Sequence, residues 1–213
     1  YAYAQYGGLL CSISEIDSGY RFGKLALGLL DRMNVSDQAA RVNSFFHIYI
    51  SHWKNHVRDT FEPFVKYHQT ALETGDMEFV AFSALVYNYH AFYSGKNLAL
   101  HEQEMPRYIQ VISDVRQETS LNLIRLNHQV ILNLMNESLE PWSFIGESYD
   151  ETKTAPSGVY HNFKLFVCYL FGQYGQAIEN AKKAERRIRG MTGTFHVPVF
   201  YFYDSLTRLA LYQ

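Results

Sequence analysis

Residues 79–93 read FVAFSALVYNYHAFY, and whether this run is helix or strand sets the fold class. Tyr, Phe and Val favour strands, so a β reading is open at first sight. Length excludes it, because the run continues for about four helical turns without a breaker, whereas strands typically last about 5–6 residues. As a helix it is apolar nearly all round, and such a helix must be covered on two faces. Stacked helical hairpins supply that cover, since one helix of each pair is sandwiched between neighbours.

Two further runs, 163–171 (FKLFVCYLF) and 197–203 (VPVFYFY), have the same character and imply the same sandwiched position. Other segments are amphipathic. Phe22, Leu25, Ala26, Leu29, Leu30 and Met33 form an i, i+3, i+4, i+7 stripe, as do Tyr174, Ala177, Ile178, Ala181, Ala184 and Ile188. Breaker and cap residues recur at 17–19, 34–37, 55, 75–76, 95–97, 119–120, 138–141, 156–158, 172–173 and 190–193. Their spacing of about 20 residues is one helix plus a tight turn. A hairpin then takes about 40 residues, against roughly 34 in a standard tetratricopeptide repeat. In LFGQYGQAIENAKKA, the positions Leu170, Gly172, Tyr174, Ala177 and Ala181 match the helix end, turn and small-residue packing sites of such repeats. The expected architecture is all-α. It is an α-α superhelix, a tetratricopeptide-like solenoid of about ten or eleven helices that occupies residues 1–213 as one domain. Tyr1 and Gln213 both fall within apolar patterns, which reads as a fragment of a much larger chain.

A chain of 213 residues with 47% hydrophobic content can bury a continuous core, and its 16% aromatic share argues against disorder. The net charge is −2 and the pI about 6.5, so the positive field that drives nucleic-acid binding is missing and nucleic acid is not an expected partner. Cys11 and Cys168 each sit in an apolar stretch, as buried thiols of a reducing compartment do, and the expected location is cytoplasmic. No run of about 18 uncharged apolar residues suggests a membrane span.

Motifs that carry chemistry are incomplete. Gly95-Lys96-Asn97 lacks the upstream glycine and the Ser or Thr of a phosphate loop, and Gly172-Gln-Tyr-Gly175 is not a dinucleotide fingerprint. His101-Glu102 begins a metalloprotease helix, but Met105 stands at the second ligand position. His52 and His56 have i, i+4 spacing without a third ligand. The stretch HEQEMP, 101–106, partly matches a histidine-kinase phosphoacceptor box, with Glu104 where that box has a basic residue. The cluster Lys182, Lys183, Arg186, Arg187 and Arg189 suits a helix C-terminus. No catalytic residue, metal site or cofactor is therefore expected.

Polar groups inside otherwise apolar helices carry more information: His47, His52, Asn88, His90, Asn127, His128, Asn133, Asp204 and Arg208. One reading makes them inter-helix hydrogen bonds, since buried polar groups need partners. The other makes them the lining of a concave groove. There Tyr49, His52, Tyr87, Asn88, Tyr89, Asn127 and His128 would bind a peptide or a small ligand, sugar-like or nucleotide.

The segments SGYRFGKLALGLLDRM (18–33), HWKNHVRDTFEPFVKYHQTALETGDMEF (52–79), SGKNLALHEQEMPRYIQVISDVRQETSLN (94–122) and YLFGQYGQAIENAKKAERRIRGMTG (169–193), with VFYFYDSLTRLALY (199–212), resemble the helical region of large bacterial hybrid sensor kinases known from cyanobacteria. In that family a Ser/Thr-kinase-like domain and an AAA-type ATPase precede the helical region, and GAF or PAS sensor and histidine-kinase domains follow it. The resemblance is weak over 139–159 and carries no catalytic residue onto this chain. It implies a non-catalytic interaction or sensing module of a signal-transduction kinase and ATPase. The implied partners are a protein or the neighbouring kinase, ATPase and sensor domains, as in the arm of maltose-regulator proteins that receives the inducing signal.

Overall fold

A computed structural model of the chain describes residues 1–33, 38–135, 142–143 and 158–212. Among these residues every regular element is helical. The α-helices are α1 (Ala2–Ser12), α2 (Ile16–Met33), α3 (Ala39–Tyr49), α4 (Phe61–Thr74), α5 (Met77–Tyr93), α6 (Leu98–Asp114), α7 (Glu118–Met135), α8 (Gly158–Leu170), α9 (Tyr174–Glu185) and α10 (His196–Tyr212). Short 3-10 turns at Ser51–Trp53, Val57–Thr60 and Ile188–Met191 link them.

Consecutive helices pack as hairpins, and the hairpins stack in two layers. α1, α3, α5, α7, α8 and α10 form one layer, each against the next, while α2, α4, α6 and α9 pack outside it. α5 is the sandwiched helix that its composition requires. It touches α3, α4, α6 and α7, and twelve of its residues are buried. The main core gathers α5, α6, α7 and α8 around Leu85, Met105, Ile124, Ile131 and Phe163.

Turns fall at Gly75, Gly95 and Gly172, each with φ near +70° at a helix C-terminus, where a Cβ would be strained. Two expected breaks belong elsewhere. Residues 17–19 lie in the first turn of α2, and the chain reverses instead at Ser14, φ 71°. Residues 119–120 open α7, and the turn is at Arg116, φ 54°. Gly19 has a packing role: a Cβ built there would lie 2.6 Å from the Gly7 carbonyl oxygen, so α1 and α2 cross backbone to backbone. The run 197–203 is also not sandwiched. It belongs to α10, whose Tyr201 and Phe202 are more than half exposed. The expected turns at 34–37 and 138–141 lie outside the described residues.

Candidate functional site

α5 turns one face toward the space between α3 and the segment that leads into α10. Phe82, Leu85, Val86, Tyr89, His90 and Tyr93 follow i, i+3, i+4, i+7, i+8 and i+11, the stripe of a single helical face. Ile48 and Tyr49 from the end of α3 form one wall, and residues 190–196 form the opposite one with Gly190, Met191, Thr194, Phe195 and His196. They line a partly open pocket of about 170 Å³.

Aromatic and imidazole rings surround it edge to face. Tyr89 meets His196 at 4.7 Å between centroids, and Tyr93 meets the same ring at 5.3 Å. His90 faces Phe195 at 6.0 Å, and His52 stands behind both, 5.7 Å from Phe195 and 6.3 Å from His90. Such ring pairs add about 0.5–1.5 kcal/mol each beyond area burial. The Thr60 hydroxyl donates to the Val57 carbonyl (2.6 Å), so at 2.8 Å it accepts from Nδ1 of His90, which sets the tautomer of that ring. Tyr93 Oη lies 3.1 Å from Nδ1 of His196, and Asn162 of α8 donates to the His196 carbonyl.

Burial controls the charge state of these groups. Loss of water holds His196 down at about 3, and His47 and His52 down at about 4. It also lowers His90 well below the imidazole range, with His52, His196 and His47 adding to the effect. The Tyr89 and Tyr93 hydroxyls are raised by the same desolvation. The cluster is therefore neutral at pH 7. Among the described residues no group of three or more His, Cys, Asp or Glu is arranged to hold a metal ion.

The seven residues singled out in the sequence do not converge on one groove. Tyr49 and Tyr89 line the cavity and His52 backs it. Tyr87 belongs to a separate, wider cleft with His68, Arg107 and Tyr108. There its ring packs on Phe61 and Tyr108, and Lys96 joins its hydroxyl to Glu104. Asn88 is wholly buried; its amide donates to the Ala84 carbonyl (2.8 Å) and its oxygen accepts from Nε2 of His101 (2.9 Å), tying α5 to α6. His128 Nε2 stands 3.6 Å from Glu102, between α7 and α6. Asn127 is buried in α7 with neither amide atom hydrogen-bonded. Sequence reading missed Thr60, Tyr93, Phe195 and His196. The nearest local signal is the Gly190 and Gly193 pair just before Thr194, Phe195 and His196, where a non-helical segment carries aromatic side chains.

The stack also presents apolar side chains at its edges. On α1, Tyr3, Tyr6 and Leu9 lie on one exposed face that Ile13 extends at the helix C-cap, and on α10 Tyr201, Phe202, Leu209, Leu211 and Tyr212 are exposed. Leu9, Ile13 and Leu209 each show more than half their surface to water.

No family model, curated protein or solved structure matches this chain.

Proposed function

We propose that this chain is a non-catalytic helical scaffold whose first and last helices dock onto a protein partner or a neighbouring domain, within a signal-transduction kinase and ATPase of the kind its sequence resembles. The exposed apolar face of α1 carries the reading, with its counterpart on α10. Isolated exposed apolar residues are ordinary, but aromatic and aliphatic groups in a row on one helix suit the dry centre of an interface. The titratable groups gathered inside are neutral imidazoles held among rings and hydroxyls, which favours packing and recognition over proton transfer near pH 7.

The test is cross-linking of the chain to its flanking domains, or capture of a second copy, compared with Leu9→Glu and Leu209→Glu. Both residues are exposed, so the variants should fold as the parent does while contact drops at least tenfold. Unchanged contact in both variants would sink the proposal.

A second reading, a sensing arm for a small ligand, is favoured by the ring-lined pocket between α3, α5 and residues 190–196.

A further inference from the structure

The last helix is covered on one side only. α10 packs on α8 and α9, and the face that carries His196, Phe200 and Thr207 is buried. At 3.6 residues per turn, Pro198, Tyr201, Phe202, Ser205, Leu209 and Tyr212 fall within an arc of about 100° on the opposite side. None of these six is charged. Tyr201, Phe202, Leu209 and Tyr212 are 55%, 58%, 64% and 93% exposed.

The order of residues along this face is two-fold symmetric about Ser205. Pro198 and Tyr212 stand seven residues to either side of it, and Tyr201 and Leu209 stand four. Phe202 and Arg208 stand three to either side. Such a face is self-complementary when a second α10 lies across it antiparallel, because a two-fold interface sets residue i of one copy on j of the other and j on i. Ser205 then meets Ser205 on the axis, and so small a pair lets the helices approach to the short end of the roughly 8–10 Å packing range. Tyr201 packs on Leu209 of the other copy. Arg208 reaches Phe202 of the other copy, and Asp204 of its own helix holds its Nε at 2.9 Å, which steadies the guanidinium plane for a cation–π contact.

Each end of the seam has a socket. Beside the first turns of α10, Phe92, Phe166, Phe195, Pro198 and Phe202 line an open, uncharged pocket between α5, α8 and α10. Tyr212 of the other copy falls at Pro198, at the mouth of that pocket. A protruding aromatic side chain set against an aromatic pocket is the usual form of an interface hot spot. At roughly 200 Å² per ring, the exposures of Tyr201, Phe202 and Tyr212 leave roughly 400 Å² of ring surface uncovered on each copy. With Leu209 and the pocket rims, two copies bring together about 1,000 Å², the least that a specific interface needs and the size of a weak, reversible one.

We infer that α10 is a homodimer interface: two copies of this chain pair antiparallel through their last helices about a two-fold axis at Ser205, each placing Tyr212 in the aromatic pocket of the other. The inference rests on the docking reading and names the occupant of the α10 face as a second copy.

Sedimentation velocity of the chain over a concentration series should show a reversible monomer–dimer equilibrium, which Tyr212→Ala and Leu209→Glu each weaken at least tenfold. Under mild oxidation Ser205→Cys should give a disulfide-linked dimer, since the axis sets the two sulfurs face to face and the native Cys11 and Cys168 are buried. Tyr6→Cys, on the exposed face of α1, should stay unlinked. A dimer that Ser205→Cys does not link, or one that survives both α10 variants, overturns the inference. Association that grows past the dimer and is lost in Leu9→Glu also overturns it, because α1 is then the occupant of the α10 face. A chain that stays monomeric throughout, while Leu209→Glu still loses contact with flanking domains, overturns the dimer and leaves the docking reading intact; a monomer whose contacts no variant changes removes both.

Discussion

Lowering the pH from 7 to 5 should unfold this protein through its buried histidines. His101 and His196 are the best placed to show it, being 0% and 6% exposed. Desolvation holds His101 down at about 4, with Lys96 reinforcing and Glu104 opposing, and desolvation alone holds His196 at about 3. In the unfolded chain an imidazole titrates near about 6.5. About one unit or more above that pH neither state binds the proton and stability is complete. As the pH falls below it the unfolded chain takes up protons that the folded one refuses, and stability keeps dropping until the folded values near 4 and 3 are reached. Each such proton is worth about 1.4 kcal/mol per pH unit. Between pH 6.5, where the unfolded imidazoles are half protonated, and pH 5 the two rings together therefore remove about 3 kcal/mol, a large part of the roughly 5–15 kcal/mol that stabilises a typical domain. His47, His52 and His90 act in the same direction. Ordinary carboxylates titrate near about 4, below this window, so the effect belongs to the imidazoles. Urea unfolding at a series of pH values between 7 and 5 measures the slope, and His196→Phe should flatten it by about 1.4 kcal/mol per pH unit. Stability that stays level over this range, or His101 and His196 resonances that titrate near about 6.5 in the folded protein, would refute the reasoning.

Gly19→Ala places a methyl 2.6 Å from the Gly7 carbonyl oxygen and 3.0 Å from the Cys11 amide nitrogen, so α1 and α2 must separate. The expected loss is about 1–3 kcal/mol in denaturant unfolding, and a wild-type midpoint would disprove the close crossing. Asn127→Leu replaces a fully buried amide that has no partner, and should stabilise by about 1–2 kcal/mol; a loss of that size would show that the amide is satisfied after all. At Gly28, inside α2, an added Cβ meets nothing within 4 Å, so Gly28→Ala should gain about 0.5–1 kcal/mol of stability, and a lower melting temperature would count against the helix there.

The architecture was legible wherever composition alone decides burial. An all-apolar helix such as α5 has no choice but to be enclosed, and the turns at Gly75, Gly95 and Gly172 follow from the freedom of glycine at a helix end. Residues 17–19 and 119–120 misled because Asp, Ser and Thr mark the first turn of a helix as readily as a break before it. Residues 197–203 misled for a different reason. Hydrophobicity states that a surface wants cover, and says nothing of whether a neighbour is there to give it. The cavity was legible only in part. Tyr49, His52 and Tyr89 stand out as polar or aromatic groups in apolar helices, but Tyr93 and His196 lie far apart in the chain and only the folded stack brings them within 3.1 Å.

Segment 190–196 has a further consequence. In a simple row of hairpins each unit leans only on the next, and the two ends are free to loosen independently. Here Gly193 rests against Tyr49 and comes near the Gly8 carbonyl, while Phe195 packs on His52. The strap before the last helix is thereby fastened to α1, α3 and the turn that follows α3. Fraying at one end of the row pulls on the other, and an array that would otherwise come apart piecemeal melts as one cooperative unit.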